Sequence, residues 1–312
     1  MIQLKNLVKD YGTLRAVDHI DFEINEGEIL GFLGPNGAGK TTTLKVITCF
    51  LSPTDGNIFV EDKNVQEDSR EIRKIIGYLP ENNPLYSEMT VFDYLKFIAE
   101  IREITNFKSR LREVIERCGL HGVVEKPINT LSKGYKQRVG IAQAIIHDPK
   151  ILILDEPTSG LDPNQIAEIR ELIKELGKEK TLIISSHILQ EVQAVCDRIV
   201  IIHKGKIVAD GSTEELKSSF QNKTKLVLEL IAREEEIHSI KENIEDISLL
   251  SITPKENEIQ QVAIEYASEK DKRIEIYNFI KSKDWVLLEM HREHISLEAV
   301  FRNLTIEGGE KK

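Results

Sequence analysis

The feature that most constrains the fold of this chain lies in residues 34–42. Their sequence is Gly34, Pro35, Asn36, Gly37, Ala38, Gly39, Lys40, Thr41 and Thr42, which fits the pattern G-x-x-x-x-G-K-T. An apolar run over 29–33 predicts a strand before it, and residues 41–50 predict a helix after it. A glycine-rich loop between a strand and a helix turns its backbone N–H groups toward an anion, and the helix N-terminus adds its dipole. The stretch therefore predicts a phosphate site, in which Lys40 reaches the terminal phosphates and Thr41 suits Mg²⁺.

Composition limits the class of protein. The chain has 312 residues, of which 40% are hydrophobic and 30% charged, as is typical of a soluble globular protein with room for two domains. Its formal net charge of -10 disfavours nucleic acid as the main partner, because DNA and RNA attract basic surfaces.

Targeting signals and cysteine motifs are not evident in the sequence. Cys49, Cys118 and Cys196 are far apart and form no C-x-x-C pair, which argues against a disulfide framework or a zinc site and favours a reducing compartment. We expect no signal peptide, and no apolar run reaches the roughly 20 residues that cross a bilayer. The chain is therefore predicted not to span a membrane, although it can lie against a protein that does.

Alternating strand and helix patterns predict an α/β fold with a mainly parallel sheet covered on both faces. The strand patterns cover 2–8, 18–24, 57–60, 75–79, 151–154, 181–185, 198–202 and 206–209, and the helix patterns cover 69–74, 163–176 and 212–217. A turn over 9–12 presents the ring of Tyr11. Residues 81–147 carry helical spacing at 90–104, 108–118 and 134–147, which predicts an inserted helical subdomain.

The remaining part of the chain, past about residue 221, contains no phosphate or metal motif. Strand patterns at 224–230, 259–266 and 285–290 alternate with helix patterns at 233–244, 268–282 and 296–304. We therefore expect a nucleotide-binding domain over 1–220 and a small α/β accessory domain over 221–312.

A second phosphate-site element is the apolar strand 151–154, which ends in Asp155 and Glu156. The strand carries Asp155 to the edge of the sheet beside the phosphate loop, where it can bind Mg²⁺. Glu156 projects differently and can orient or deprotonate the attacking water. The alternative interpretation is that these are two ordinary solvated acids at a strand end.

The third element is Leu131, Ser132, Lys133, Gly134 and Tyr135, in which Ser132 is a suitable helix N-cap. With this segment upstream of Asp155, the chain over about 2–218 resembles the ATP-binding cassette (ABC) ATPases, whose signature is usually L-S-G-G-Q. The resemblance implies that Tyr11 stacks on adenine, that residues 34–42 hold the phosphates, and that Thr41 and Asp155 bind Mg²⁺.

Further roles follow from the same resemblance. Glu156 is the general base, His187 contacts the γ-phosphate, and residues 159–162 cross the dimer interface. Ser132 and Gly134 contact the ATP held by the opposite subunit. The alternatives are that Tyr11 is a surface aromatic residue and that His187 is a polar residue ending a strand.

Two segments depart from the family pattern. Glu81 stands where most members have a glutamine, which adds a negative charge near Mg²⁺ and the attacking water, and we expect it to tune hydrolysis or coupling. In the signature, Lys133 replaces the first glycine and Tyr135 replaces the glutamine. The γ-phosphate contacts should survive, because Ser132 and Gly134 are retained.

These departures indicate which branch of the ABC family the chain resembles. The segments 78–86, 131–135 and 161–165, with the tail 296–305, are similar to ATPases of the gliding-motility type, within the group that serves ABC-2 exporters. The resemblance implies ATP and Mg²⁺ as ligands and a head-to-tail dimer of two copies. It also implies a separate transmembrane permease, contacted through residues 81–95, and a location on the cytoplasmic face of the membrane. The alternative is a soluble ABC ATPase acting on ribosomes or DNA.

Overall fold

The computed structural model describes residues 2–219, 223–255, 258–267 and 270–293, together with residues 298 and 301. The chain divides into two compact units, with the boundary between Thr213 and Glu214. The closing helix predicted over 296–304 lies outside the described residues, apart from positions 298 and 301.

The first unit contains ten strands and seven helices among its described residues. The strands are β1 (Ile2–Tyr11), β2 (Leu14–Ile24), β3 (Ile29–Leu33), β4 (Asp55–Val60), β5 (Lys63–Asn64), β6 (Ile76–Leu79), β7 (Ile151–Asp155), β8 (Thr181–Ser186), β9 (Arg198–His203) and β10 (Lys206–Gly211). The helices are α1 (Lys40–Ile47), α2 (Ser69–Ile75), α3 (Val91–Ile101), α4 (Phe107–Cys118), α5 (Lys133–Ile145), α6 (Pro163–Gly177) and α7 (Leu189–Gln193). An eighth helix, α8 (Thr213–Ser219), begins in the first unit and continues into the second.

A six-stranded sheet in the order β10-β9-β3-β8-β7-β6 forms the centre of this unit. All its pairs are parallel except β10 with β9. Both faces of the sheet are apolar, because neighbouring residues of β7 pack into different hydrophobic cores. Ile153 packs with α1 and the antiparallel sheet β2-β1-β4-β5, whereas Leu152 packs with the helices α3 to α6. The expected parallel sheet with covered faces is confirmed.

The N-terminal hairpin corrects one expectation. The turn predicted over 9–12 is wrong, because β1 continues to Tyr11, which pairs with Leu14. The turn is confined to Gly12 and Thr13, and Gly12 has the positive φ of 61° that a tight turn favours. The register shifts between β1 and β2 interrupt the alternation of apolar residues, which shortened both predicted strands.

Among its described residues, the second unit has four strands and three helices after α8. Its elements are β11 (Lys223–Ile231), α9 (Glu234–Ile237), α10 (Ser239–Asn243), β12 (Ile247–Pro254), β13 (Ile259–Ala267), α11 (Arg273–Ser282) and β14 (Val286–Glu293). The sheet order is β12-β13-β11-β14, and every described pair is antiparallel. This β-α-β-β-α-β arrangement is the ferredoxin-like motif. Alternate residues of β11, including Leu226, Leu228 and Leu230, face the helices and form its core.

Candidate functional site

The parallel strands bring three predicted segments to one edge of the central sheet. In the register, Leu33 at the end of β3 lies beside Ser186, and Asp155 at the end of β7 lies beside Ser185. The phosphate loop, the acidic pair and the histidine segment follow these strand ends directly. Ligands of open parallel sheets bind at this carboxyl edge.

The phosphate loop needs glycine at two positions. Gly39 has a φ of 111°, and a Cβ atom there would lie 2.6 Å from the carbonyl oxygen of Ala16. A Cβ atom at Gly34 would lie 2.4 Å from the carbonyl oxygen of Ile202. The loop is therefore packed closely against its neighbours where it leads into α1.

Lys40 lies inside the curve of this loop. Its side chain is buried, and Nζ donates to the carbonyl oxygens of Gly34 at 2.7 Å and Pro35 at 3.2 Å. Nζ also lies 3.4 Å from Oε1 of Glu156. The ammonium group is thus held across the loop, next to the acidic pair.

Asp155 is fully buried at the end of β7. Its Oδ1 accepts a hydrogen bond of 2.5 Å from the Ser185 hydroxyl, whereas its buried Oδ2 has no hydrogen-bond partner among the described residues. Burial raises the pKa of this carboxyl, against the lowering effect of the hydroxyls of Ser185 and Thr41. An unpaired carboxylate oxygen is costly to bury. Together with the nearby Thr41 hydroxyl, it supplies the hard oxygen ligands that suit Mg²⁺.

The Glu156 carboxylate contacts both Lys40 and His187. Its backbone is left-handed, with φ at 51°, and its N–H donates to the Ser185 hydroxyl at 2.9 Å. This conformation costs about 1 kcal/mol or more for a residue other than glycine. Oε2 of Glu156 lies 2.9 Å from Nδ1 of His187. The carboxylate therefore lies between Lys40 and His187.

Tyr11 and Glu81 line the same cleft as the phosphate loop. This cleft has a volume of about 490 Å³ and is bounded also by Leu14, Lys40 and Glu156. The ring of Tyr11 is 47% exposed at the cleft, with the Lys9 ammonium 5.6 Å from its centroid. A half-exposed ring of this kind is suited to stack on a nucleobase.

Within the described part of the chain, neither Ser132 nor Gly134 lines this cleft. The Ser132 hydroxyl accepts from the N–H of Tyr135 and caps α5, as expected for an N-cap. Gly134 is buried against α6, where a Cβ atom would lie 2.7 Å from the side chain of Gln165. Among the described residues, the signature segment thus does not line this cleft.

The substituted signature residue Lys133 contacts the loop 159–162. A Cβ atom at Gly160 would lie 2.0 Å from its Nζ. This loop ends at Asp162, whose carboxylate accepts the N–H groups of Asn164 and Gln165 at the start of α6. Two of the predicted interface segments therefore adjoin each other.

Sequence reasoning missed Ser185, which holds both acids through one hydroxyl. It also missed Glu191, which accepts hydrogen bonds from Thr158 and Ser186. The available signal was a pair of hydroxyl residues at the end of the apolar strand 181–184, since buried polar side chains require partners.

Residues 17–159 match the family model described as ABC transporter. The bacitracin transport ATP-binding protein BcrA of Bacillus licheniformis is 42% identical to this chain over 219 residues, 70% of this chain and 71% of that protein. The chain belongs to the ABC transporter family. Another relative is the lantibiotic transport ATP-binding protein SrtF of Streptococcus pyogenes. It is 39% identical over 227 residues, which cover 71% of this chain and 96% of SrtF.

A solved ABC structure supports the same assignment. The dimeric, post-hydrolysis state of the ATP-binding cassette MJ0796, bound to ADP and Pi, matches with a TM-score of 0.63 and 27% identity, over 68% of this chain and 98% of that one. The resemblance to ABC ATPases and the expected α/β fold are confirmed. As an ABC ATPase, the chain binds and hydrolyses ATP. No helix among the described residues is long and apolar enough to cross a membrane.

Proposed function

We propose that the chain is the ATP-hydrolysing subunit of an ABC-2-type membrane exporter, whose permease is a separate chain. The relatives BcrA and SrtF are named for the transport of bacitracin and lantibiotics, which supports transport rather than the alternative action on ribosomes or DNA. In this proposal the subunit binds the cytoplasmic face of the membrane through its permease.

The observation that supports this mechanism is the position of the signature segment among the described residues. Ser132 and Gly134 lie away from the cleft formed by Tyr11 and the phosphate loop of their own chain. We therefore propose that two copies associate head to tail, so that each signature segment closes the other copy's cleft. ATP then stabilises the closed dimer only, and loss of the γ-phosphate releases it.

For hydrolysis, we assign Glu156 as the general base that orients and deprotonates the attacking water. Its carboxylate is held between Lys40 and His187, at 3.4 Å and 2.9 Å. Lys40 and His187 also place positive or donor groups near the γ-phosphate, where negative charge develops. Glu81, exposed at the same cleft, adds a negative charge that moderates this effect.

Mg²⁺ fits the residues beside the phosphate loop. We propose that the unpaired Oδ2 of Asp155 and the hydroxyl of Thr41 hold it, directly or through water. When bound, the ion supplies positive charge that neutralises the phosphate oxygens.

The proposed permease contact lies in residues 81–95. Pro84 and Tyr86 are exposed, and the Tyr86 ring contacts those of Tyr94 and Phe97 edge-on. Leu85 and Phe92 instead pack against the apolar core. We therefore propose that Pro84 and Tyr86 meet the permease, whereas Leu85 and Phe92 support the surface from within.

The test is the variant Glu156→Gln, which keeps the shape of the side chain but removes its charge and its basicity. We expect ATP-dependent dimers in size-exclusion chromatography with light scattering, and a fall in hydrolysis of about 100-fold or more. Lys40→Ala serves as the control, since it should lose ATP binding and stay monomeric. Monomers of Glu156→Gln under saturating ATP and Mg²⁺ would contradict the dimer mechanism, and the absence of a membrane protein among copurifying partners would contradict the exporter.

A further inference from the structure

We propose that Glu191, on the short helix α7, is a positioning residue that holds His187 against Glu156. Its Oε2 accepts a hydrogen bond of 2.6 Å from the Thr158 hydroxyl and one of 2.9 Å from the Ser186 hydroxyl. Thr158 follows Glu156 by two positions, and Ser186 immediately precedes His187. One carboxylate oxygen therefore joins the two segments that carry the interacting pair.

Both hydroxyls belong to buried residues. Ser186 and Thr158 are buried, and the Ser186 hydroxyl also accepts the N–H of Ile188 at 3.0 Å. The Ser186 hydroxyl thus binds the Glu191 carboxylate and also the backbone N–H of the residue that follows His187. Hydrogen bonds to a charged acceptor are shorter and stronger than neutral ones, which favours a fixed geometry here.

The helix that carries Glu191 is anchored in the core. Leu189 and Val192 are buried, and a Cβ atom at Gly31 would lie 2.0 Å from Cγ1 of Val192. Gly31 belongs to β3, the strand that leads into the phosphate loop. The position of the Glu191 carboxylate is therefore set by the same strand that sets the phosphate site.

His187 has little else to hold it. Its side chain is 40% exposed, and the polar contact found for its ring among the described residues is the one with Glu156. Without Glu191, the two segments stay joined through the Ser185 hydroxyl, but the link between Thr158 and Ser186, the residue next to His187, is lost. Misplacement of reacting groups by about 1 Å can cost up to 100-fold in rate.

This inference rests on the proposed roles of Glu156 and His187, so its test is a double-mutant cycle in the full chain. We expect Glu191→Ala to lower kcat for ATP by about tenfold while KM for ATP changes less than about twofold. In a His187→Ala background the same substitution should cause no further fall, because the group that it positions is gone. Glu191→Gln should keep most of the rate, since its amide oxygen can accept both hydrogen bonds.

A matched control is Glu28→Ala. Glu28 is also largely buried and accepts a backbone N–H, that of Asn25 at 2.8 Å, but it lies at the opposite end of β3 from the phosphate loop. We expect this variant to keep the wild-type kcat. If Glu191→Ala does not fold, Thr158→Val removes one of the two hydrogen bonds and should lower kcat in the same pattern.

The outcomes separate this inference from the proposed function. A slow His187→Ala enzyme with a fully active Glu191→Ala enzyme overturns the positioning role alone. Equal falls from Glu191→Ala in both backgrounds also overturn it, since they show an effect independent of His187. A fully active His187→Ala variant overturns this inference together with the role given to His187.

Discussion

The substitution Ser185→Ala tests whether one hydroxyl organises the acidic pair. Ser185 is fully buried, donates to Asp155 at 2.5 Å and accepts the N–H of Glu156 at 2.9 Å. The variant leaves a carboxylate oxygen and a backbone N–H without these partners in a site that excludes solvent.

The expected loss of stability follows from these two groups. Removing a hydrogen bond to a buried charged group costs about 1.5 to 3 kcal/mol, and an unpaired buried N–H costs about 1 to 3 kcal/mol. Since neighbouring losses are rarely additive, we expect a decrease of about 3 kcal/mol in the free energy of unfolding of the first unit. With a urea m-value of about 3 kcal/mol/M, the midpoint moves down by about 1 M.

Urea unfolding followed by far-UV circular dichroism is the assay. The single tryptophan, Trp285, lies in the second unit, so its fluorescence does not report on β7 and β8. Hydrogen exchange of the amides of β7 and β8 gives the same quantity locally.

Thr48→Val is the matched control for this assay. It removes a buried hydroxyl of the same unit that donates to the carbonyl of Leu44, which also accepts the N–H of Thr48. We expect a loss of about 1 kcal/mol or less, because no group is left unpaired. A loss of about 1 kcal/mol or less for Ser185→Ala as well would refute the reasoning, since it would mean that other groups or water satisfy Asp155 and Glu156.

Three further substitutions test separate features. Tyr11→Ala should raise KM for ATP by about fivefold to 100-fold with little change in kcat, because an aromatic stacking surface is lost; an unchanged KM contradicts the stacking role. Glu81→Gln should lower KM for ATP by a few-fold, since one negative charge leaves the cleft, and unchanged steady-state rates contradict this. Burial lowers the pKa of His147 from 6.5 to about 4, so the unfolded chain takes up a proton first as the pH falls. Wild-type stability should therefore drop by up to about 3 kcal/mol between pH 6.5 and 4, and His147→Gln should show a correspondingly smaller drop in urea titrations.

The sequence alone determined those parts of the site whose residues are adjacent along the chain. The phosphate loop, the apolar strand ending in Asp155 and Glu156, and the N-cap Ser132 are each local patterns with a physical meaning of their own. Periodicity located the helices of the 81–147 subdomain to within a few residues, because a helix face repeats along the chain. Strand ends were less accurate where the pairing is irregular, as at Tyr11.

The strand β12 shows the limit of periodicity. It was not predicted, and its pairing with β13 is interrupted by an irregularity between Leu249 and Ser251. One extra residue in a strand reverses the alternation of buried and exposed side chains, so the pattern no longer identifies a strand. The antiparallel β-α-β-β-α-β order of the second unit likewise depends on pairing between distant strands.

Only the tertiary structure decided how the local motifs meet. Glu156 and His187 are 31 positions apart, yet their side chains lie within 2.9 Å because β7 and β8 are parallel neighbours that end at the same edge. The shared hydroxyl of Ser185 and the link through Glu191 arise from the same juxtaposition. The tertiary structure also determines that Ser132 and Gly134 do not line the cleft of the described residues. Spacing along a sequence specifies neighbours within one element, whereas sheet order and register specify neighbours between elements.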